Sequence, residues 1–304
     1  MYNLNGLAPE LKTALEHAQG AVKLPVSENG KKLETKKTDK GFYVRIGEDK
    51  AEIGYAKTAD FLRGALYLAC GKEVSQTNAF DDLGVMVDCS RNAVPKVETV
   101  KKFVSFLASL GYTYVYLYTE DTYELKNNPY FGYLRGRYTK AEIKEMDDFC
   151  ASVGVELRPC IQTLAHINQI TRYKSYEDII DCNDILLCGE EKTYRLIDDM
   201  FRTLAENFTS RKVNIGMDEA HMLGLGRYLD RHGYCDRADI MLEHLKKVLA
   251  IAEKYGFTCA MWSDMFFRLF SGGHYGEIKN VPQAVLDKIP SNVELIYWDY
   301  YATD

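Results

Sequence analysis

Two adjacent carboxylates, Asp218 and Glu219, follow directly on the apolar run Val213 to Met217, and His221 stands just beyond them. A short apolar run with a β-branched start is typical of a buried strand, so the sequence predicts that both acids lie at its carboxyl end. In a barrel of parallel strands, that end carries the chemistry. Neighbouring acids repel each other unless partners or a function offset the cost. The alternative is a surface Asp-Glu pair opening a helix, where the helix dipole favours acidic residues.

Strand-like and helical segments alternate from residue 83 onward. The predicted strands are Gly84 to Val87, Tyr114 to Tyr118, Val155 to Ile161, Val213 to Met217, Thr258 to Trp262 and Val293 to Trp298. The predicted helices between them are Val97 to Leu110, Lys140 to Val153, Lys192 to Phe208, Asp239 to Tyr255 and Pro282 to Lys288. This order predicts an α/β fold with a parallel sheet, and the lack of a dinucleotide glycine motif favours a TIM-type (βα) barrel. Six strands are visible, and the last two of an eight-stranded barrel are expected to be absent.

The first 80 residues predict a small α+β domain, which would precede a barrel over residues 81–304. A helix over Ala8 to Gln19 is followed by the strands Lys32 to Thr38, Gly41 to Ile46 and Ala51 to Tyr55. Polar residues at 39–40 and 47–50 predict two hairpin connections between these strands. Thr58 is then expected to be the N-cap of a second helix that carries Gly64 near its middle.

Each of the six predicted barrel strands ends in charged, polar or aromatic residues. Any one of them has an ordinary explanation, such as a surface ion pair for Arg91 or a loop position for His166. Six such ends that meet at one barrel mouth predict a site. The residues at these ends are Asp88, Arg91, Glu120, Asp121, His166, Asp218, Glu219, Trp262, Asp264, Trp298, Asp299, Tyr300 and Tyr301.

Composition excludes several classes of function. The net charge of -6 and the dispersed basic residues argue against nucleic-acid binding. No signal peptide and no apolar run of bilayer length is visible, so no membrane association and a cytoplasmic location are predicted. The eight cysteines form no CxxC pair, which favours reduced thiols. No HxH or HxxxH spacing occurs near the acids, so no metal site is expected.

Several of the strand-end residues belong to motifs that follow one another along the chain. They are Asp88-x-x-Arg91, Gly136-Arg137-Tyr138-Thr139 with Glu142, His166, and Gly216-Met217-Asp218-Glu219. This set resembles the family 20 glycoside hydrolases, which include the β-N-acetylhexosaminidases, and the resemblance spans roughly residues 45 to 304. It implies exo-acting removal of terminal GlcNAc or GalNAc from β-linked N-acetylhexosamine glycosides, without a cofactor. Barrels of this kind often pair, which implies a homodimer.

The resemblance also implies a role for each candidate residue. Family 20 is an exception among glycosidases, because the 2-acetamido group of the substrate is the nucleophile. Glu219 would therefore protonate the leaving oxygen and later activate water, while an ionised Asp218 orients the acetamido group. Arg91 would bind the O3 and O4 hydroxyls through its planar fork of donors. His166 with Glu120 or Asp121 would support the acid, and the expected pocket walls and further hydroxyl contacts are Trp262, Trp298, Tyr300, Asp264 and Asp299.

Two departures from the family pattern indicate a divergent branch. Asn214 stands where members often have His, and Glu120-Asp121 replaces two aspartates. Two other readings therefore stay open, namely a non-catalytic carbohydrate-binding remnant and another barrel glycosidase with a conventional carboxylate pair. A remnant would bind GlcNAc without cleaving it. A conventional glycosidase would not be inhibited by a thiazoline mimic of the acetamido intermediate.

Overall fold

The computed structural model describes residues 1–271 and 283–300, so Pro282 of the last predicted helix and Tyr301 lie outside the described residues. The strands are β1 Tyr2–Asn3, β2 Lys31–Lys37, β3 Phe42–Ile46, β4 Lys50–Tyr55, β5 Val74–Gln76, β6 Gly84–Asp88, β7 Tyr114–Tyr118, β8 Glu156–Cys160, β9 Ile180–Cys182, β10 Ile185–Leu186, β11 Lys212–Asn214, β12 Thr258–Trp262 and β13 Val293–Ile296. The helices are α1 Pro9–His17, α2 Thr58–Ala69, α3 Val97–Ser109, α4 Lys140–Ser152, α5 Asn168–Thr171, α6 Glu191–Asn207, α7 Arg227–His232, α8 Arg237–Lys254, α9 Asp264–Ser271 and α10 Gln283–Leu286, with a 3-10 helix at Lys174–Ile179.

The chain divides into two compact units. The first comprises Met1–Val87, Pro95–Tyr116 and Ala141–Leu157. The second comprises Asp88–Val94, Leu117–Lys140 and Arg158–Asp304. Every candidate site residue named above belongs to the second unit. The predicted domain boundary near residue 80 stays a prediction.

The first unit contains a five-stranded sheet in the order β1-β2-β4-β3-β5. β3 and β4 pair antiparallel, as the second predicted hairpin requires. The first predicted hairpin is wrong, because β2 pairs in parallel with β4 and not with β3. A polar turn shows only that the chain changes direction, whereas pairing depends on which strands bury their apolar residues together.

Helix α2 lies against this sheet. A Cβ on Gly64 would meet Ile53 Cγ2 at 2.7 Å, so glycine permits the close approach of helix and strand. The prediction that Thr58 is the N-cap is wrong by one residue. Lys57 occupies that position, and the Asp60 carboxylate accepts a hydrogen bond from the Lys57 N–H at 2.9 Å.

The second sheet has six strands in the order β13-β12-β11-β8-β7-β6. β8, β11, β12 and β13 pair in parallel, and helices α3, α4, α6 and α8 connect successive members of the sheet. This arrangement confirms the predicted α/β class with its strand-helix alternation. Within residues 1–271 and 283–300, β6 and β13 are the edge strands, so the described sheet is open.

Two further predictions concern membrane-spanning segments and the redox state of the cysteines. In the described part of the chain, no helix has both the length and the apolar character that crossing a bilayer requires. All eight cysteines are free thiols, and five of them are buried. Burial raises the pKa of the Cys89 thiol to about 12, which keeps it protonated and unreactive near neutral pH.

Candidate active site

The backbone after β11 turns sharply before it reaches the acid pair. The predicted strand Val213 to Met217 ends at Asn214, whose side-chain Oδ1 accepts the Gly216 N–H at 2.8 Å. Gly216, Met217 and Glu219 then have φ angles of 72°, 70° and 53°. Position 216 needs glycine because Gln162 occupies the space that a Cβ would fill. Met217 and Glu219 have side chains, so their positive φ angles strain the backbone. Such strain persists where the surrounding structure enforces it, commonly at functional sites.

The two acids face different surroundings. Asp218 is enclosed, with 13% of its side chain exposed, and its Oδ1 accepts a hydrogen bond from Gln162 Nε2 at 2.9 Å. Its Oδ2 lies 3.1 Å from Nε2 of His166. The same nitrogen is 3.4 Å from Oε2 of Glu219, whose side chain is 39% exposed. The pair therefore offers one fixed, shielded carboxylate and one that solvent or a ligand can reach.

The His166 ring is held between these carboxylates by an unusual backbone, with a φ angle of 57°. Burial disfavours the charged imidazolium, but the hydrogen bond with Asp218 and the charges of Asp218 and Glu219 outweigh it, so the pKa of His166 is raised.

A hydrogen-bonded chain joins Arg91 to this acid pair. The Arg91 guanidinium donates to Asp88 at 2.9 Å and to the Tyr118 hydroxyl at 3.1 Å, and it lies 4.6 Å from the centroid of the Tyr118 ring. Gln162 Nε2 donates to the same hydroxyl at 3.0 Å and also to Asp218. The structure thus brings together the sequence-predicted residues Arg91 and Asp218.

Glu120 and Asp121 lie beside this chain and are buried. Glu120 accepts a hydrogen bond from the Tyr118 hydroxyl at 3.1 Å, and Asp121 lies 3.2 Å from Nε of Arg135. Burial raises the pKa of both carboxyl groups, although hydrogen bonds and nearby cations oppose it. Both predicted supporting residues therefore reach the Arg91 side of the site.

Asp264 supports the backbone of the acid pair. Its Oδ2 accepts the Glu219 N–H at 3.0 Å, which helps to hold the strained backbone of that residue. Burial raises the pKa of Asp264 to about 6, and the nearby charge of Asp218 acts in the same direction. The predicted role was contact with a sugar hydroxyl or orientation of a neighbour, and the observed contact favours orientation.

The remaining aromatic and acidic candidates lie at the ends of β12 and β13. Trp262 is half-buried, and its indole N–H has no hydrogen-bond partner among the described residues. Trp298 is half-buried and lies 5.5 Å from the Tyr300 ring, centroid to centroid. Tyr300 and Asp299 are exposed, and Asp299 accepts a hydrogen bond from Tyr297 at 2.9 Å. Their contact with a substrate stays a prediction.

Sequence reasoning did not identify Tyr118 and Gln162 as site residues, although they connect the others. Tyr118 is the last residue of β7, and Gln162 lies just beyond β8. Their positions at strand ends were the available signal. Neither side chain is charged, and a polar residue at a strand end is too common to single out from one sequence.

Three of these residues could also hold a divalent cation. One ring nitrogen of His166 and one oxygen each from Asp218 and Glu219 lie within 4.8 Å of one another. Imidazole and carboxylate are ligands that Zn²⁺ accepts. The sequence did not predict this trio, because two of its members are adjacent in the chain and the third comes from a different strand end.

A buried histidine supports the segment that carries Gln162 and His166. His244 on α8 lies 2.8 Å from the Thr163 carbonyl through Nε2 and 3.0 Å from the Tyr194 hydroxyl through Nδ1. The Thr163 contact requires a proton on Nε2, so Nδ1 accepts from Tyr194 in the neutral ring. Burial lowers the pKa of His244 to about 4, which means that the ring stays neutral in the folded protein.

This burial predicts a loss of stability in acid. The unfolded chain would protonate His244 near its ordinary pKa of 6.5, whereas the folded protein would do so only near 4. The contribution is therefore complete above pH 6.5, and about 3 kcal/mol of unfolding free energy should be lost as the pH falls to 4. Urea unfolding of the protein and of His244→Gln at several pH values measures this. Equal pH slopes for both proteins would contradict it.

Comparison with known proteins finds hexosaminidases among the relatives of this chain. Hexosaminidase D from Bos taurus is 24% identical over 229 residues, which cover 70% of this chain and 61% of that protein. The β-hexosaminidase from Akkermansia muciniphila is 24% identical over 266 residues, covering 71% of this chain and 53% of that protein. The chain therefore spans a little over half the length of these curated relatives. No protein-family model matches the sequence.

Solved structures show the same fold. The family 20 exo-β-N-acetylglucosaminidase from Vibrio harveyi, in complex with N-acetylglucosamine, superposes with a TM-score of 0.78 at 17% identity, covering 98% of this chain and 54% of that one. This chain is similar in fold to family 20 glycoside hydrolases. The N-acetyl-β-hexosaminidase from Streptomyces plicatus superposes with a TM-score of 0.73 at 20% identity, covering 100% of this chain and 65% of that one. The predicted resemblance is confirmed, and the low identities fit a divergent branch.

Proposed function

We propose that this chain acts as an exo-acting β-N-acetylhexosaminidase that removes terminal GlcNAc or GalNAc by substrate-assisted hydrolysis with retention of configuration. One observation carries the proposal. An enclosed Asp218, fixed by Gln162 and His166, lies beside an accessible Glu219. Family 20 is an exception among glycosidases whose nucleophile belongs to the substrate, and an adjacent pair of one fixed and one accessible carboxylate suits that exception.

In this reaction Asp218 acts on the acetamido group. Its carboxylate accepts a hydrogen bond from the acetamido N–H and turns the carbonyl oxygen toward C1. As that oxygen attacks, the C1–O glycosidic bond breaks and positive charge develops on the acetamido nitrogen. The fixed anion stabilises that charge without having to reorganise, because Gln162 already holds it in place.

Glu219 handles the protons. It donates its proton to the departing glycosidic oxygen, and the resulting carboxylate then accepts a proton from the water that attacks C1 and reopens the oxazolinium ring. This restores both the acid and the free acetamido group. Its partial exposure suits the task, since both the leaving group and the incoming water must reach it.

Arg91 binds the hydroxyls of the terminal sugar. Its side chain is 53% exposed, although Asp88 and Tyr118 fix its orientation. The remaining N–H groups of the guanidinium can donate to O3 and O4 together, which a lysine ammonium cannot reproduce. Trp262 and Trp298 form walls around the acetamido methyl group.

The same proposal covers the complete fold, the substrates and the cellular location of the enzyme. The six strands of the second sheet, in which β8, β11, β12 and β13 pair in parallel, correspond to the first six of an eight-stranded barrel, with the site at their carboxyl ends. The substrates are β-linked N-acetylhexosamine glycosides, and the enzyme works as a cytoplasmic homodimer without a cofactor. The free state of all the cysteines supports a reducing compartment.

The test is hydrolysis of chromogenic β-GlcNAc and β-GalNAc by the natural polypeptide that contains these 304 residues. We expect turnover and inhibition by a thiazoline that mimics the cyclised acetamido intermediate. Turnover without thiazoline inhibition would favour a conventional carboxylate pair. Binding of GlcNAc without turnover would favour a carbohydrate-binding remnant.

The His166, Asp218 and Glu219 trio favours a second candidate, a metal-assisted hydrolase. The two functions predict opposite responses to metal removal. On the first proposal, dialysis against EDTA leaves turnover unchanged, and added Zn²⁺ inhibits because it occupies the acid pair. Loss of activity in EDTA with recovery on addition of Zn²⁺ would support the second candidate instead.

A further inference from the structure

Three tyrosines, two exposed and one half-buried, form a cluster in the second unit. The rings of Tyr130 and Tyr173 stack with centroids 5.3 Å apart and an interplanar angle of 25°. Tyr133 meets them edge-on at 6.0 and 6.3 Å. Tyr130 is 46% exposed, Tyr133 is 45% exposed and Tyr173 is half-buried. We call these three residues the tyrosine platform. A contiguous exposed aromatic surface of this kind is unusual unless something binds to it.

The backbone under the platform is well anchored. Phe131, between the two exposed tyrosines, is buried against Tyr123 with ring centroids 5.2 Å apart. Arg137 donates to the carbonyls of Pro129 and Phe131, and the Tyr173 hydroxyl donates to the Tyr133 carbonyl at 3.2 Å. The rings are therefore ordered in advance, so a ligand would lose little affinity to ordering them.

The segment that carries Tyr130 and Tyr133 contacts the Arg91 side of the candidate active site through Arg135. Arg135, two residues after Tyr133, is 3.2 Å from Asp121 and also donates to the carbonyl of Ser90, the neighbour of Arg91. The charge of Arg172, which precedes Tyr173, also lowers the pKa of the Asp121 carboxyl. Burial raises the pKa of that carboxyl, and the charges of Arg135 and Arg172 oppose it. Arg135 therefore connects the segment that carries Tyr130 and Tyr133 to Asp121 and to the loop of Arg91.

We propose that the tyrosine platform binds the penultimate sugar of a β-linked oligosaccharide, the part of the substrate that leaves with the aglycone; this rests on the proposed function. Pyranose rings present apolar C–H faces that pack on aromatic rings, and their hydroxyls match the phenolic edges. Two rings of the platform are stacked, the Tyr133 ring is nearly perpendicular to them, and none of the three carries a charge. Those features fit a saccharide better than a charged peptide or a lipid chain. The platform thereby selects glycan substrates over glycosides with a small aglycone.

The experiment compares a trisaccharide of β-1,4-linked GlcNAc with methyl β-GlcNAc, whose aglycone is too small to reach the platform. In Tyr130→Ala and Tyr133→Ala, we expect kcat/KM for the trisaccharide to fall about tenfold, mainly through KM. The value for the methyl glycoside should change less than twofold. Tyr130→Phe keeps the ring and should restore trisaccharide hydrolysis. Tyr234→Ala is the matched control, because Tyr234 is 75% exposed and lies in the same unit.

The other possible outcomes distinguish the platform proposal from the proposed function. An equal loss on both substrates would mean that the tyrosines only stabilise the fold, and no loss on either would mean that the platform is not a saccharide site. If the unsubstituted protein hydrolyses neither substrate, the proposed function fails. Calorimetric titration with the trisaccharide then tests the platform alone. Affinity that Tyr133→Ala lowers and Tyr234→Ala does not would support a saccharide site without hydrolysis, and unchanged affinity would overturn it.

Discussion

Glu219→Gln is expected to lower kcat for a β-GlcNAc disaccharide by about a thousandfold. The amide cannot donate the proton that the leaving sugar oxygen needs, and it cannot later accept a proton from water. A dinitrophenyl glycoside should lose less in the first step, because its leaving group departs without protonation. Single-turnover and steady-state hydrolysis of both substrates measure the difference.

The control for this variant is Glu243→Gln on α8, which removes an exposed carboxylate paired with Lys246. It should leave both rates unchanged. The thermal unfolding midpoint of Glu219→Gln should stay near that of the unsubstituted protein, because the side chain is partly exposed. Retention of near-normal turnover of the disaccharide would remove Glu219 from the mechanism.

Asp218→Asn is expected to lower kcat by about a thousandfold for both kinds of leaving group, in contrast to Glu219→Gln. The reason is that Asp218 acts on the acetamido group rather than on the departing oxygen. A neutral amide can orient that group but cannot stabilise the charge that develops on its nitrogen. Affinity for the thiazoline should fall in parallel, because the bound inhibitor resembles this charged intermediate.

The same substitution has a spectroscopic consequence. Asp218 lies 3.1 Å from His166, and its hydrogen bond and charge act against burial to raise the pKa of the imidazole. Removing that charge should shift the pKa of His166 downward, which NMR titration of the imidazole proton measures. The Glu243→Gln protein again provides the control. An unchanged His166 titration would show that the two side chains do not interact in solution.

Much of the fold was predictable from local pattern. β7 and β12 begin and end at the predicted residues, because an apolar run flanked by polar turns encodes a buried strand directly. β11 ends at Asn214 and not at the predicted Met217, for a reason that the apolar pattern does not show. The side chain of Asn214 and the packing of Gln162 against Gly216 bend the chain, and both effects depend on contacts rather than on hydrophobicity.

Some residues of the candidate site were likewise predictable from the sequence, and others were not. Arg91, His166, Asp218 and Glu219 were predicted because charged residues at successive strand ends are conspicuous, and the parallel sheet brings those ends to one edge. Tyr118 and Gln162 were not predicted. Their importance lies in the single hydrogen-bonded chain that they complete between Arg91 and Asp218, and only coordinates show which polar groups meet.

The sequence by itself determined the order of strands and helices, the acid pair and the family that this chain resembles, since these depend on residue type and spacing along the chain. The tertiary structure alone decided that Asp218 is shielded while Glu219 is accessible, that Asp264 holds the Glu219 backbone, and that Tyr173 joins Tyr130 and Tyr133 on one surface. Burial and hydrogen bonding between segments far apart in the chain set these properties, and no local pattern of residues encodes them.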